Sequence, residues 1–173
     1  MKKDLNLDLL NAADELGYEA RSATGDHAAL KLWLRMLSCT NQIEAEIRRR
    51  LRVRFDTSLP RFDYMAQLYR ASEGLRMKDL SSHLMVTGAN VTGITDELER
   101  DGLVIRSSSP TDRRSWIVSL TPKGCKLFET MAAEHEQWIL ELFSCLNASA
   151  LDQVYQQLGA LRVHVLDKQS TAI

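Results

Sequence analysis

The chain has 173 residues, 45% of them hydrophobic and 26% charged, with a formal net charge of −1 at pH 7. This length suits one domain, or one domain with a long helical extension, and the apolar fraction can fill a core. A chain so close to neutral is not a non-specific basic binder of nucleic acid. No run of 18 or more apolar residues occurs, so no transmembrane helix and no membrane partner are expected.

The N-terminus carries Lys2 and Lys3 but meets Asp4, Asp8, Asp14 and Glu15 before any apolar stretch of signal-peptide length, which predicts a cytoplasmic protein. Residues 1–25 read as an N-terminal arm. A short amphipathic helix with Leu5, Leu9, Leu10 and Leu16 leads to a polar linker, Ser22-Ala23-Thr24-Gly25. A long helix is then predicted from Asp26, as N-cap, to about Phe55. Leu30, Trp33, Leu34, Leu37, Ile43, Ile47 and Leu51 form its apolar stripe. Such a helix spans ~45 Å, enough to join a dimer interface to a separate reading head. Its basic run, Arg48 to Arg54, follows Glu44 and Glu46 by one turn. It reads as a solvated helix end favoured by the helix dipole, with contact to phosphates or an anionic ligand as the functional alternative.

Thr57-Ser58 with Pro60 marks another helix start. That helix runs to about Ala71 and buries Phe62, Met65, Leu68 and Tyr69 before Glu73-Gly74 turns the chain. A short helix from Met77 to Leu84 follows, with Met77, Leu80 and Leu84 on one side. Thr87 caps the next, whose core stripe is Val91, Ile94 and Leu98. Asp101-Gly102 stops it, since glycine accepts the left-handed conformation found at helix ends. Two β-prone runs, Leu103 to Arg106 and Ser115 to Leu120, flank a polar loop that holds Pro110, Asp112, Arg113 and Arg114.

Thr121-Pro122 restarts a helix to about Leu146, with Leu127, Met131, Trp138, Ile139, Leu142 and Phe143 as its apolar face. Ser149-Ala150-Leu151-Asp152 resembles a capping box and opens a last helix to about Lys168, lined by Leu151, Val154, Tyr155, Leu158, Leu161 and Val165. These two helices are more apolar than one reading head can cover. A second copy of the chain would cover them, which predicts an obligate homodimer through the N- and C-terminal helices.

Helix, turn, helix and hairpin together make the winged helix-turn-helix plan, here mainly α with a small β-wing. Its second helix enters the DNA major groove, and its hairpin tip reaches backbone or a neighbouring groove. The expected division is an arm at 1–25, a dimerisation region at 26–56 and 121–168, and a DNA-binding region at 57–120. With Val91, Ile94 and Leu98 inward, Thr87, Ala89, Asn90, Thr92, Gly93 and Asp96 lie toward the open side. Asn90 is suited to bidentate pairing with adenine, and Arg113 and Arg114 to phosphates or a narrow minor groove. Residues 76–124 carry seven basic and six acidic side chains, a balance of +1, with Arg76, Lys78 and Arg106 as further candidate contacts.

Asp112-Arg113-Arg114, followed by Val118-Ser119-Leu120-Thr121-Pro122-Lys123-Gly124, resembles the wing and next helix start of MarR-family regulators. The resemblance covers roughly residues 30–150. It implies a homodimeric transcription regulator, acting as a repressor on a pseudo-palindromic double-stranded operator and released by a small ligand. Many relatives carry a basic residue near the position of Gly93, whereas this chain has none between Thr87 and Glu99. The segments around Leu32–Leu37 and Thr57–Asp63 are similar to a subgroup governing aromatic-compound catabolism, whose effectors are aromatic carboxylates or their CoA thioesters. Carried over by position, Trp33, Met36, Leu37, Arg61, Tyr64 and Met65 would line the ligand pocket, with Arg35 and Asn41 near its mouth. Trp33 and Tyr64 offer flat faces for a ring, and Arg61 a fork for a carboxylate.

Other classes leave weaker traces. His27, His83, His135 and His164 are scattered without metal spacing, with His135-Glu136 expected on a helix surface. No phosphate loop or nucleophile elbow appears, so no enzyme, cofactor or metal is expected. Cys39, Cys125 and Cys145 fit reduced intracellular thiols, and Cys39 is expected to pack rather than to react. A thiol-based redox regulator, or a winged-helix adaptor that binds protein instead of DNA, are the alternatives.

Overall fold

The computed structural model describes residues 28–83, 88–108 and 116–171. The expected arm at 1–25, the Thr87 cap and the wing tip with Arg113 and Arg114 lie outside them. Six helices and three strands follow in the order α1 (Ala28–Phe55), α2 (Leu59–Arg70), β1 (Leu75–Arg76), α3 (Met77–His83), α4 (Gly88–Arg100), β2 (Val104–Ser108), β3 (Trp116–Leu120), α5 (Pro122–Leu142) and α6 (Ala148–Thr171). The helical and hairpin pattern read from the sequence is therefore present, with one addition. β1 is two residues long, too short to leave a periodic signal, and it pairs antiparallel with β3 at Leu75↔Val118. β3 thus sits between β1 and β2 in a three-stranded sheet, with Val104↔Leu120 and Ser108↔Trp116 at the two ends of the hairpin ladder.

The helix boundaries have local causes. Ser58 Oγ accepts the Arg61 amide at the start of α2, and Thr121 Oγ1 accepts the Gly124 amide at the start of α5; each helix has a proline in its first turn. α4 ends in a Schellman motif. The Leu103 amide donates to Leu98 O at 2.9 Å and the Gly102 amide to Glu99 O at 2.9 Å, with Gly102 at φ 70°. Two expectations are corrected. α5 stops at Leu142 instead of Leu146, and the cap of α6 is Asn147, whose Oδ1 accepts the Ala150 amide at 2.9 Å, instead of Ser149.

The core lies beneath the reading head. Ile47 and Leu51 of α1, Phe62, Tyr64, Met65 and Leu68 of α2, Leu80 of α3, and Val91 and Leu98 of α4 close around Val104, Val118, Phe128, Met131 and Trp138. Only the C-terminal half of α1 takes part. Leu30, Leu32 and Trp33 are exposed, and so are all the apolar residues expected to line one side of α6. His135 is half-buried, its ring 5.0 Å from that of Phe62, which corrects its expected surface position. Cys39 and Cys145 are exposed, so Cys39 is not a packed core thiol in this chain.

A candidate nucleic-acid interface on the fourth helix and the wing

The inward face of α4 is set by Val91, Thr95 and Leu98, all at most 1% exposed, with Ile94 packed beside them. The Thr95 hydroxyl breaks the apolar stripe, so the hydrophobic pattern alone does not mark this residue as core. Its burial is satisfied by bonds to Tyr64 and to Val91 O. The opposite face follows from the helical repeat of about 100° per residue. Asn90, Thr92, Gly93 and Arg100 are exposed there, and a Cβ built on Gly93 would meet nothing within 4 Å. Arg100 sits almost in line with Gly93, seven residues on, in the last turn of the helix. The stretch without cations, Thr87 to Glu99, ends one residue before it.

The acidic residues of this helix are paired. Arg106, on the middle of β2, binds Asp96 and Glu99, the latter at 2.5 Å. Arg61, in the first turn of α2, binds Asp101 and lies 3.6 Å from Glu97. The Arg106 guanidinium, expected at DNA, and the Arg61 guanidinium, expected at a ligand carboxylate, are here both paired with carboxylates of α4 and its end. Next to α4, Met77, Lys78, Ser81, Ser82, Val91 and Thr92 line an open depression of about 580 Å³ between α3 and α4. Its lysine and three hydroxyl side chains are groups that can meet a phosphate backbone.

The eight residues expected around a ligand are not brought together. Tyr64 and Met65 are core residues, 0% and 1% exposed, because α2 is covered by α1, α4 and α5. Arg35 and Asn41 are exposed and Leu37 is half-buried on α1. Trp33 and Met36 do line a groove of about 610 Å³, whose other wall is α6 through Leu158, Leu161, Arg162 and Val165. The basic run at the end of α1 is tied down within the chain. Arg50 bridges Glu46 and Glu141 and stands 6.0 Å above the Trp138 ring, while Arg54 meets Glu134 at 3.0 Å. That run joins α1 to α5, which favours the structural reading over phosphate contact.

Comparison with known proteins agrees with this geometry. The MarR family model matches residues 57–116, from the residue before the cap of α2 to the first residue of β3. The uncharacterized HTH-type transcriptional regulator YkoM of Bacillus subtilis is 32% identical over 89 residues, 51% of this chain and 58% of that protein, so the chain spans less than two thirds of its length. A MarR-family transcriptional regulator from Silicibacter pomeroyi superposes with a TM-score of 0.70 at 28% identity, covering 82% of this chain and 99% of that one. Sco3205, a MarR-family regulator from Streptomyces coelicolor solved in complex with DNA, shares the fold with a TM-score of 0.72 at 19% identity, over 86% of this chain and 92% of that one. Among the described residues, no helix is long and apolar enough to cross a membrane.

Proposed function

We propose, from the match of the MarR family model to residues 57–116 and from the helices and strands described there, that the chain is a ligand-responsive transcriptional regulator that binds double-stranded DNA as a homodimer. The observation that carries the reading is the division of α4. Val91, Thr95 and Leu98 fasten it to the core, while Asn90, Thr92, Gly93 and Arg100 stand on a face free of bulky apolar side chains. Such a face can approach base edges in the major groove, with Asn90 as the adenine-reading side chain. Thr87 and Ala89 at the start of the helix, and Arg113 and Arg114 on the wing, are assigned to the same interface from the sequence.

Homodimerisation is supported by the exposed stripe of Leu151, Val154, Leu158, Leu161 and Val165 on α6, together with Leu30 and Trp33 at the near end of α1. A contiguous apolar surface of this kind marks an interaction site, and a two-fold arrangement presents two copies of α4 to half-sites ~10 base pairs apart. Residues 26–56 and 121–168 are thus the dimerisation region, and residues 57–120 the DNA-binding region. The effector is an aromatic carboxylate or its CoA thioester, with its ring against Trp33 and Met36 and Arg162 as the nearby cation in the same groove. Binding there adjusts the pairing of the two chains and lowers the population that fits the operator, so that the ligand relieves repression.

Fluorescence anisotropy on DNA from upstream of the protein's own gene, at fixed salt with excess competitor DNA, tests the reading. Saturable binding with a dimer stoichiometry, reversed by benzoates, hydroxycinnamates or their CoA thioesters, is expected. Equal affinity for target and competitor would replace it with a protein-binding adaptor.

A further inference from the structure

The fourth helix is unusual for a surface that meets a polyanion. Asp96, Glu97 and Glu99 occupy its second half, and Asp101 follows at its end. In isolation, four carboxylates would repel phosphates. Their placement on the helix changes that reading. Asp96 and Glu99 are three residues apart and share one flank, and Glu97 and Asp101 are four apart and share the other. The outward line through Gly93 and Arg100 runs between the two flanks. One flank is held by Arg106 from β2 and the other by Arg61 from α2. Both arginine side chains are only 20% exposed, so each reaches its carboxylates from beneath the helix and neither stands out toward a partner.

We propose that Arg61 and Arg106 are positioning residues, two guanidinium clamps that fix the roll of α4 by gripping four carboxylates on its two flanks, and that these carboxylates are anchors of the recognition helix and not a repulsive surface. The inference rests on the DNA-reading role of α4 given above. A planar guanidinium presents several N–H donors in a fixed fork, so a bridge to two carboxylates fixes direction as well as distance. The two clamps come from different elements, on opposite sides of the helix. A roll that slackens one must therefore compress the other. The arrangement leaves the line between them, Gly93 and Arg100, as the surface offered outward.

The variant D96N/E99Q separates an anchor from a repulsive surface, since it removes two negative charges and one clamp together. The probe is a duplex selected from a random-sequence pool by the wild-type protein, measured against competitor DNA across a salt series. A positioning role predicts that the ratio of selected-site to competitor affinity falls by about tenfold or more, the scale of one misplaced base contact. Arg61→Gln and Arg106→Gln should lower it likewise, and Arg106→Lys should recover part of the loss by keeping one ion pair. A merely repulsive surface predicts the opposite, with D96N/E99Q binding every duplex more tightly and the ratio unchanged; that result overturns the proposal. Hydrogen exchange without DNA gives a second, independent reading. Faster exchange of amides in 88–100 than in α5 is expected for both glutamine variants, and unchanged exchange there would overturn the clamps. If the wild-type protein selects no duplex at all, the DNA-binding reading falls, and exchange alone decides whether the arginines hold α4.

Discussion

The phenol oxygen of Tyr64 lies 2.5 Å from Thr95 Oγ1, with both side chains wholly buried. The direction of the bond follows from its neighbour. Thr95 donates its one hydroxyl proton to Val91 O at 2.6 Å, and a carbonyl can only accept, so the phenol must donate to Thr95. Burial pushes the Tyr64 phenol up, which keeps it a neutral donor. The bond joins α2 to the recognition helix inside the core. Tyr64→Phe should cost about 1 kcal/mol, the net worth of one hydrogen bond, whereas Thr95→Val leaves a buried phenol unsatisfied and should cost about 1–3 kcal/mol. Urea unfolding of both single variants and of the double variant checks this. The double variant should cost less than the sum of the two, and strict additivity would deny the coupling.

Two glycines of the reading head should respond oppositely to alanine. A Cβ on Gly124 would sit 2.0 Å from Leu103 O, a backbone atom that cannot swing aside, while one on Gly93 meets open space. Gly124→Ala should therefore lower stability by about 3 kcal/mol or prevent folding. Gly93→Ala should raise stability by about 0.5–1 kcal/mol, since alanine is the better helix former. It should also weaken DNA binding, because its methyl group stands on the face assigned to the groove. Thermal unfolding and anisotropy on the two proteins decide both halves.

The same residues divide the signals that a sequence carries locally from those that only packing creates. The turn chemistry is local and therefore legible: Ser58, Pro122 and Gly102 act within four residues of themselves, as does Thr121 in capping α5. The core stripe of α4 is legible from Val91, Ile94 and Leu98. Thr95 is not, because its partner Tyr64 is 31 residues away. A still longer separation hides the pairing of Arg61, 40 residues from Asp101. Gly124 is recognisable as part of a motif, but its reason, contact with the Leu103 backbone, requires the hairpin and α5 to be packed together.

The junction of α1 and α5 should respond to acid. Hydrogen bonds from Arg49 and then Arg50 hold the Glu46 carboxyl at about 2, against an ordinary 4.5, and Arg50 holds Glu141 low as well. A pKa depressed on folding contributes stability that is fully present above the unfolded value and is lost as pH falls through the folded one. The contribution of Glu46 is thus complete above about 4.5 and fades toward about 2. Urea midpoints recorded from pH 6 down to about pH 2 should fall less steeply for Glu46→Gln than for the wild type. Parallel curves would mean that the cluster adds nothing to the fold.

Placing a charge on the exposed stripe of α6 tests the assembly without disturbing the reading head. Leu161 is 42% exposed and lies on α6, away from the core residues that surround α4. Leu161→Glu should therefore leave the monomer fold intact by circular dichroism. In a dimer the same carboxylate would be buried without a partner, at a cost of several kcal/mol. Sedimentation should show a monomer at concentrations where the wild type is a dimer, with operator affinity lost as the two half-sites are no longer read together. A variant that remains dimeric would move the interface off this face.

The assignment of bases and phosphates to different residues separates two further variants. Asn90 is exposed on the outer side of α4, where its amide matches the adenine donor and acceptor edge. Asn90→Ala should cost about 1–3 kcal/mol on the preferred site and relax discrimination at one base position, with the salt dependence unchanged. Arg114, assigned to the wing from the sequence, carries charge rather than a base-reading amide. Arg114→Ala should weaken binding to all duplexes alike and reduce the slope of log K against log salt by about 1. Anisotropy titrations on the selected site, on single-base variants of it and on competitor DNA, each at several salt concentrations, read both quantities in one experiment. If Asn90→Ala left the ranking of sites untouched, α4 would be reading DNA through shape or through Arg100. If Arg114→Ala altered the ranking itself, the wing would be reading bases or groove width instead of phosphate charge.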